Sequence, residues 1–280
     1  MVKNIMTIDG LKVTKAGGSP PHALILHGGP GAYGYIEDLL GIASSSCSSI
    51  CYNQRGGEQS EIQIEIGIKT HISDLSMVVE SQFSDVKPIL IGHSWGAMLA
   101  TLFAGLASER IEKIIMIGVG PLDQYSGRCF MDEILRRFGD KRAYFDGLWE
   151  NTVSEKDLHK QQLLANQYIN EAIPYYQNEI GTTQQIPSLV WDFRGSYQTM
   201  LESDHNIESG KYIEALKNIQ CPITLIHGCE DPLSPDIIFP IVKKCQPSAI
   251  LHKINDAGHY PWYGNGKDSF YEVFKQELCP

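Results

Sequence analysis

Apolar residues run along this chain in short blocks of strand length, and most blocks end in Gly, Pro or Asn before a stretch of helical spacing begins. Continuous apolar blocks suit strands covered on both faces, and the alternation of strand with helix suits a mostly parallel sheet in an α/β fold. The predicted strands are residues 4–8, 12–15, 23–26, 49–52, 88–91, 113–119, 222–227 and 249–254. Thr70 is placed to cap a helix running to about Phe83, with Ile72, Leu75, Val78 and Val79 at helical spacing. A second helix, residues 95–106, carries Ala97, Ala100, Ala104 and Gly105, small side chains that permit close packing on a sheet. From residue 121 to 218 the strand–helix rhythm gives way to helical, aromatic-rich sequence around Trp149, Tyr175, Tyr176 and Trp191. This stretch reads as a helical cap inserted between the sixth and seventh strands, leaving residues 1–120 and 219–280 as the core.

Four motifs sit at predicted strand ends. The sharpest is Gly92-His93-Ser94-Trp95-Gly96, between a strand and a helix. A serine on such a sharp turn exposes its hydroxyl as a nucleophile, and flanking glycines are needed because bulkier neighbours would collide. His27-Gly28-Gly29-Pro30-Gly31 follows an earlier strand, and a loop without side chains can bring a backbone amide to a developing oxyanion. The expected oxyanion donors are the amides of Gly29 and Trp95. Asp231 follows the strand of residues 222–227, with Glu230 as its immediate rival; Asp231 is preferred because Pro232 pushes the preceding residue extended. His259 follows the last strand beside Gly258, and the order Ser, Asp, His is that of a serine nucleophile, an orienting acid and a general base. His27 is expected to hold its loop by hydrogen bonding, and His93 flanks the nucleophile. His22, His71, His159, His205 and His252 lie outside any motif.

With these motifs in place, the chain resembles the α/β-hydrolases, and among them the proline iminopeptidases of peptidase family S33. The resemblance rests on Leu26-His27-Gly28-Gly29-Pro30-Gly31, Tyr52-Asn53-Gln54-Arg55-Gly56, Gly92-His93-Ser94-Trp95-Gly96 and the Asp231 and His259 segments, and covers the core far more than the cap. It implies an acyl-enzyme serine hydrolase that needs no metal or cofactor and releases an N-terminal residue, characteristically proline, from short peptides. The sequence departs from the family pattern twice: Asn53 replaces the usual Asp, and His93 replaces a Gly. The resemblance further implies that a cap glutamate binds the substrate's α-ammonium. Trp149-Glu150 is similar to the family's Trp-Glu pair and is the expected substrate-binding element, with Glu171 or Glu202 as substitutes for the glutamate expected further on. Trp149, Trp191 and Phe193 are candidates to line an apolar acyl pocket. A carboxylesterase or lactonase of the same fold is the alternative, and a non-catalytic ligand receptor a remote one. Epoxide hydrolases and haloalkane dehalogenases carry an aspartate at the position of Ser94.

Composition narrows the partners. The chain is 280 residues long with 42% hydrophobic and 20% charged residues, an ordinary globular balance able to bury a large core. A formal charge of −10 opposes binding to nucleic acid or an anionic membrane and suits a small-molecule or short-peptide substrate. Seven cysteines without a repeated Cys-x-x-Cys pair suggest neither a disulfide framework nor zinc, and Cys47 and Cys51 are expected to pack as small hydrophobes. No signal-peptide-like apolar run is present, so the cytoplasm is the expected location.

Overall fold

A computed structural model describes residues 3–55, 66–177 and 186–279. The glycines Gly56 and Gly57, which close the Asn53-Gln54-Arg55 motif, lie outside this range. The strands are β1 (Asn4–Ile8), β2 (Leu11–Ala16), β3 (His22–Leu26), β4 (Ala32–Tyr33), β5 (Ser48–Tyr52), β6 (Ile89–His93), β7 (Lys113–Ile117), β8 (Val190–Trp191), β9 (Ile223–Gly228) and β10 (Ile250–Ile254). The helices are α1 (Ile36–Ala43), α2 (Ile68–Gln82), α3 (Trp95–Ala107), α4 (Gln124–Phe138), α5 (Arg142–Ser154), α6 (Leu158–Gln177), α7 (Phe193–Ser209), α8 (Lys211–Asn218), α9 (Pro235–Cys245) and α10 (Lys267–Leu278).

Eight strands form one sheet in the order β1-β2-β5-β3-β6-β7-β9-β10. The pairs β1–β2 and β2–β5 are antiparallel, and every later pair is parallel. Strand periodicity sorts the apolar side chains to the two faces. Leu24, Leu26, Leu90, Ile114 and Met116 join one buried cluster with α2, α3, α8 and α9. Their neighbours Ala23, Ile25, Ile89, Ile91, Ile115 and Ile117 join the other with α1 and α10. This two-sided burial explains why the central strands read as unbroken apolar blocks.

All eight predicted strands are present within a few residues of their expected bounds. The helix expected to be capped by Thr70 instead starts at Ile68, with Gly67 at the capping position. Its first amide is satisfied from far along the chain, since Ile68 N–H donates to Glu202 of α7 at 2.7 Å. Helices α4 to α8, with the two-residue strand β8 that pairs antiparallel with β4, occupy the connection between β7 and β9. Phe138, Phe145 and Tyr175 of α4, α5 and α6 gather in a small cluster of their own. By contrast, Tyr212, Ala215 and Leu216 of α8 pack into the same cluster as α3. Among the described residues no helix is long and apolar enough to cross a membrane.

Candidate active site

Parallel strands deliver their C-terminal ends to one edge of the sheet, so the segments after β3, β6, β9 and β10 converge there. The turn between β6 and α3 holds Ser94 at φ 54 and ψ −120, a conformation that L residues rarely adopt. The flanking glycines make it possible: a Cβ on Gly96 would lie 2.3 Å from the Leu26 carbonyl oxygen, and one on Gly92 would lie 2.5 Å from the Ala97 backbone. Ser94 thus stands at the N-terminus of α3, where the following amide, Trp95 N–H, is among those a helix leaves without an internal partner.

Asp231 and His259 meet across the ends of β9 and β10. Asp231 is 2% exposed, and its Oδ2 accepts a hydrogen bond from His259 Nδ1 at 2.7 Å, while its Oδ1 accepts from Leu233 N–H at 2.8 Å. The rival Glu230 is exposed. Burial alone would raise the Asp231 carboxyl. The imidazoles of His259 and then His227, whose Nε2 is 3.3 Å away, outweigh it and hold the group well below the usual carboxylate range. With Nδ1 committed to Asp231, Nε2 of His259 is the nitrogen left to accept a proton.

The glycine loop after β3 is fixed from both sides. His27 Nε2 accepts from Gln54 N–H at 2.9 Å, so Nδ1 carries the proton and donates to the Gly28 carbonyl at 2.8 Å. In a trans peptide the amide points opposite to its carbonyl, so holding Gly28 C=O toward His27 turns Gly29 N–H the other way. Gly29 itself lines the cavity described next. Gln54 also donates to the His27 carbonyl at 2.8 Å and accepts from the Trp95 indole at 2.9 Å, so it ties the glycine loop to the first residue of α3. Its neighbour Arg55 bridges Asp74 and Asp9, each at 2.9 Å. The His259 loop is gripped by the end of α6: His259 N–H donates to Tyr176 C=O at 3.1 Å and Tyr260 N–H to Gln177 Oε1 at 2.6 Å. A Cβ on Gly258 would lie 2.4 Å from Gln177 Cα.

Ser94, His259, Gly29 and Trp95 all line one cavity of about 760 Å³. Its walls are largely apolar, with Met98, Val119, Phe130, Met131, Met200 and Leu233, and Asp204 and Glu208 of α7 with Arg128 of α4 supply charge. Four of the expected site residues therefore line the cavity and Asp231 stands behind His259, whereas Trp149 and Glu150 lie elsewhere. Glu150 is exposed on α5, and Trp149 stacks on Trp191 at 6.1 Å and against Phe193 at 5.6 Å, away from the cavity lining. Packing of α5 on α6 turns the tryptophan into this aromatic cluster and leaves the next side chain in solvent. Neither expected substitute reaches the cavity: Glu202 caps α2, and Glu171 is exposed and accepts from Gln167. Burial raises the Asp204 carboxyl, with Glu208 adding to the effect.

The sequence matches the α/β-hydrolase fold family over residues 21–265. It is similar to epoxide hydrolase 2 of Siraitia grosvenorii, at 29% identity over 50% of this chain and 45% of that protein. It is also similar to a proline iminopeptidase of Thermoplasma volcanium, at 26% identity over 51% of this chain and 53% of that one. The chain thus aligns with about half the length of these curated relatives. The fold matches that of an α/β-fold family hydrolase from Bacillus anthracis str. Sterne with a TM-score of 0.70, at 19% identity and covering 99% of both chains. Sequence and fold agree that this protein belongs to the α/β-hydrolase family and resembles the proline iminopeptidases within it.

Proposed function

We propose that the protein is a serine hydrolase that cleaves carboxylic esters through an acyl-enzyme. The observation that carries this reading is the cavity shared by Ser94, on its sharp turn, and His259, held by Asp231 at 2.7 Å. His259 Nε2 takes the Ser94 proton as the serine oxygen attacks the ester carbonyl, and the Gly29 and Trp95 amides stabilise the resulting oxyanion. Collapse of the tetrahedral species expels the alcohol, which receives the proton from His259. Water, deprotonated by the same nitrogen, then attacks the acyl-enzyme and releases the acid. Asp231 keeps the imidazole in the productive tautomer. An epoxide hydrolase is disfavoured because the turn between β6 and α3 carries Ser94 where an aspartate is expected for that chemistry.

The apolar walls at Met98, Val119, Met200 and Leu233 favour an acyl chain of several carbons, and α4 to α7 would act as the cap that encloses it. A second reading, release of an N-terminal residue from a peptide, is supported by the carboxylates of Asp204 and Glu208 in the cavity, which could pair with an ammonium in place of Glu150. The deciding experiment compares p-nitrophenyl esters of two to ten carbons with proline p-nitroanilide, free and N-acetylated. Faster turnover of medium-chain esters with little anilide hydrolysis supports the first reading. Selective hydrolysis of the free-amine anilide replaces it with the second.

A further inference from the structure

His93, immediately before the nucleophile, and Tyr35, just past the glycine loop, are buried at 0% and 1% exposure, and the acyl-transfer steps above use neither side chain. Their hydrogen bonds run in one direction. His93 Nε2 lies 2.9 Å from the His259 carbonyl oxygen, which can only accept, so Nε2 carries the proton. Nδ1 is then a bare lone pair, and the Tyr35 hydroxyl 2.9 Å away must donate to it. The Tyr35 oxygen in turn accepts Gly28 N–H at 2.5 Å. The chain therefore reads Gly28 N–H to Tyr35 O–H to His93 Nδ1, and His93 Nε2–H to His259 C=O.

This chain joins three segments that are remote in sequence: the start of the glycine loop after β3, the last residue of β6, and the backbone of His259 after β10. The spacing is tight as well as bonded, because a Cβ on Gly28 would lie 2.8 Å from Tyr35 Oη and 2.9 Å from Ser94 Cβ. The His93 ring packs against those of His259 at 4.9 Å and of Tyr260 and Trp262 at 4.8 Å. Burial, reinforced by the charge of His259, holds His93 well below the ordinary imidazole value, so the single-proton form that the geometry requires is also the one that burial favours.

We propose that Tyr35 and His93 are positioning residues, a directed hydrogen-bond chain that sets the oxyanion loop and the general base in register with the Ser94 oxygen. The inference rests on the acyl-enzyme reading above. It assigns a function to His93: its two ring nitrogens serve two different segments, Tyr35 before α1 and the His259 backbone after β10, which a residue with a single polar atom cannot do. A purely structural role for the pair would alter stability alone. A positioning role alters the transition state more than the bound substrate, because the oxyanion contact and the proton transfer are realised only as the reaction proceeds.

The test compares wild type, Tyr35→Phe, His93→Asn and the double variant, using an ester substrate, an alkylboronic acid that mimics the tetrahedral species on Ser94, and a fluorophosphonate probe. Tyr35→Phe is expected to lower kcat by about 10- to 100-fold with KM within about twofold, and to weaken boronic acid binding by the same factor. The double variant should cost little more than His93→Asn alone, since both substitutions break one chain. On the wild type, ¹H–¹⁵N correlation of the histidine rings should find His93 neutral with its proton on Nε2, and this measurement does not depend on any variant folding. An Nδ1–H or doubly protonated His93 at pH 7 overturns the proposal, as does Tyr35→Phe with unchanged kcat, boronic acid affinity and probe reactivity. If wild-type Ser94 is itself inert to the fluorophosphonate, the acyl-enzyme reading fails and takes this inference with it. A reactive wild type with a Tyr35→Phe variant unchanged in kcat, boronic acid affinity and probe reactivity sinks this inference alone.

Discussion

Lowering the pH from 7.5 to 5.5 should destabilise this protein by about 4 kcal/mol through three buried imidazoles. His27, His71 and His93 are each no more than 1% exposed. Burial pushes His27 from the ordinary 6.5 down to about 4. Burial, aided by the charges of His27 and Arg55, pushes His71 to about 3. Burial likewise holds His93 well below its ordinary value. The geometry agrees, since His71 donates from Nε2 to Thr199 and its Nδ1 finds no partner among the described residues, leaving no acceptor for a second proton. A folded-state value below the unfolded one means that the unfolded chain binds more protons between the two, so stability falls as pH drops through 6.5. At pH 5.5 each unfolded imidazole is about ten-elevenths protonated and each folded one almost neutral, which costs on the order of 1 kcal/mol or slightly more per residue. Urea unfolding followed by tryptophan fluorescence should place the midpoint at pH 5.5 about 1 M below that at pH 7.5, for a denaturant slope near ~3 kcal/mol/M. His71→Gln should reduce the pH dependence by about a third. A midpoint that is unchanged or higher at pH 5.5 would refute the assignment of these histidines as buried and neutral.

Three further outcomes follow from the site and its supports. Asp231→Asn should keep the fold but lower kcat by about 10⁴-fold, because the amide cannot hold the His259 tautomer that the carboxylate selects; steady-state kinetics on the refolding-competent variant checks this. Glu202→Gln should cost about 1 kcal/mol in denaturant unfolding, as the first turn of α2 loses a charged acceptor on Ile68 N–H. Glu150→Ala, on an exposed helix face outside the cavity, should leave kcat and KM on any accepted substrate within about twofold.

Much of this architecture is legible in the sequence because it depends on neighbours along the chain. The apolar blocks at β3, β6, β7 and β9 announce strands buried on both faces, and the glycines around Ser94 announce a sharp turn whatever surrounds it. The contacts that escape the sequence are those made between distant segments. Thr70 has good capping chemistry, yet the start of α2 is decided by Glu202, which arrives on α7. Glu150 sits beside a tryptophan in a suggestive pair, but the rotation of α5 against α6 determines which side chain faces inward. Gln54, Tyr176 and Gln177 support the site through backbone and indole hydrogen bonds. For Gln54 a signal existed, since it belongs to the Tyr52-Asn53-Gln54-Arg55 motif; the structure adds that β5 pairs with β3 and so sets it beside the glycine loop. Nothing comparable marks Tyr176 or Gln177, whose role depends on where α6 ends over the sheet edge.

The most direct test of the central claim is intact-mass and peptide-level mass spectrometry after treatment with a fluorophosphonate, on wild type and Ser94→Ala. The account predicts a single stoichiometric adduct on Ser94, abolished together with ester turnover in a Ser94→Ala variant that unfolds as cooperatively as wild type. A wild type that turns over esters without labelling at Ser94, or a Ser94→Ala variant that retains near-normal turnover, would contradict it.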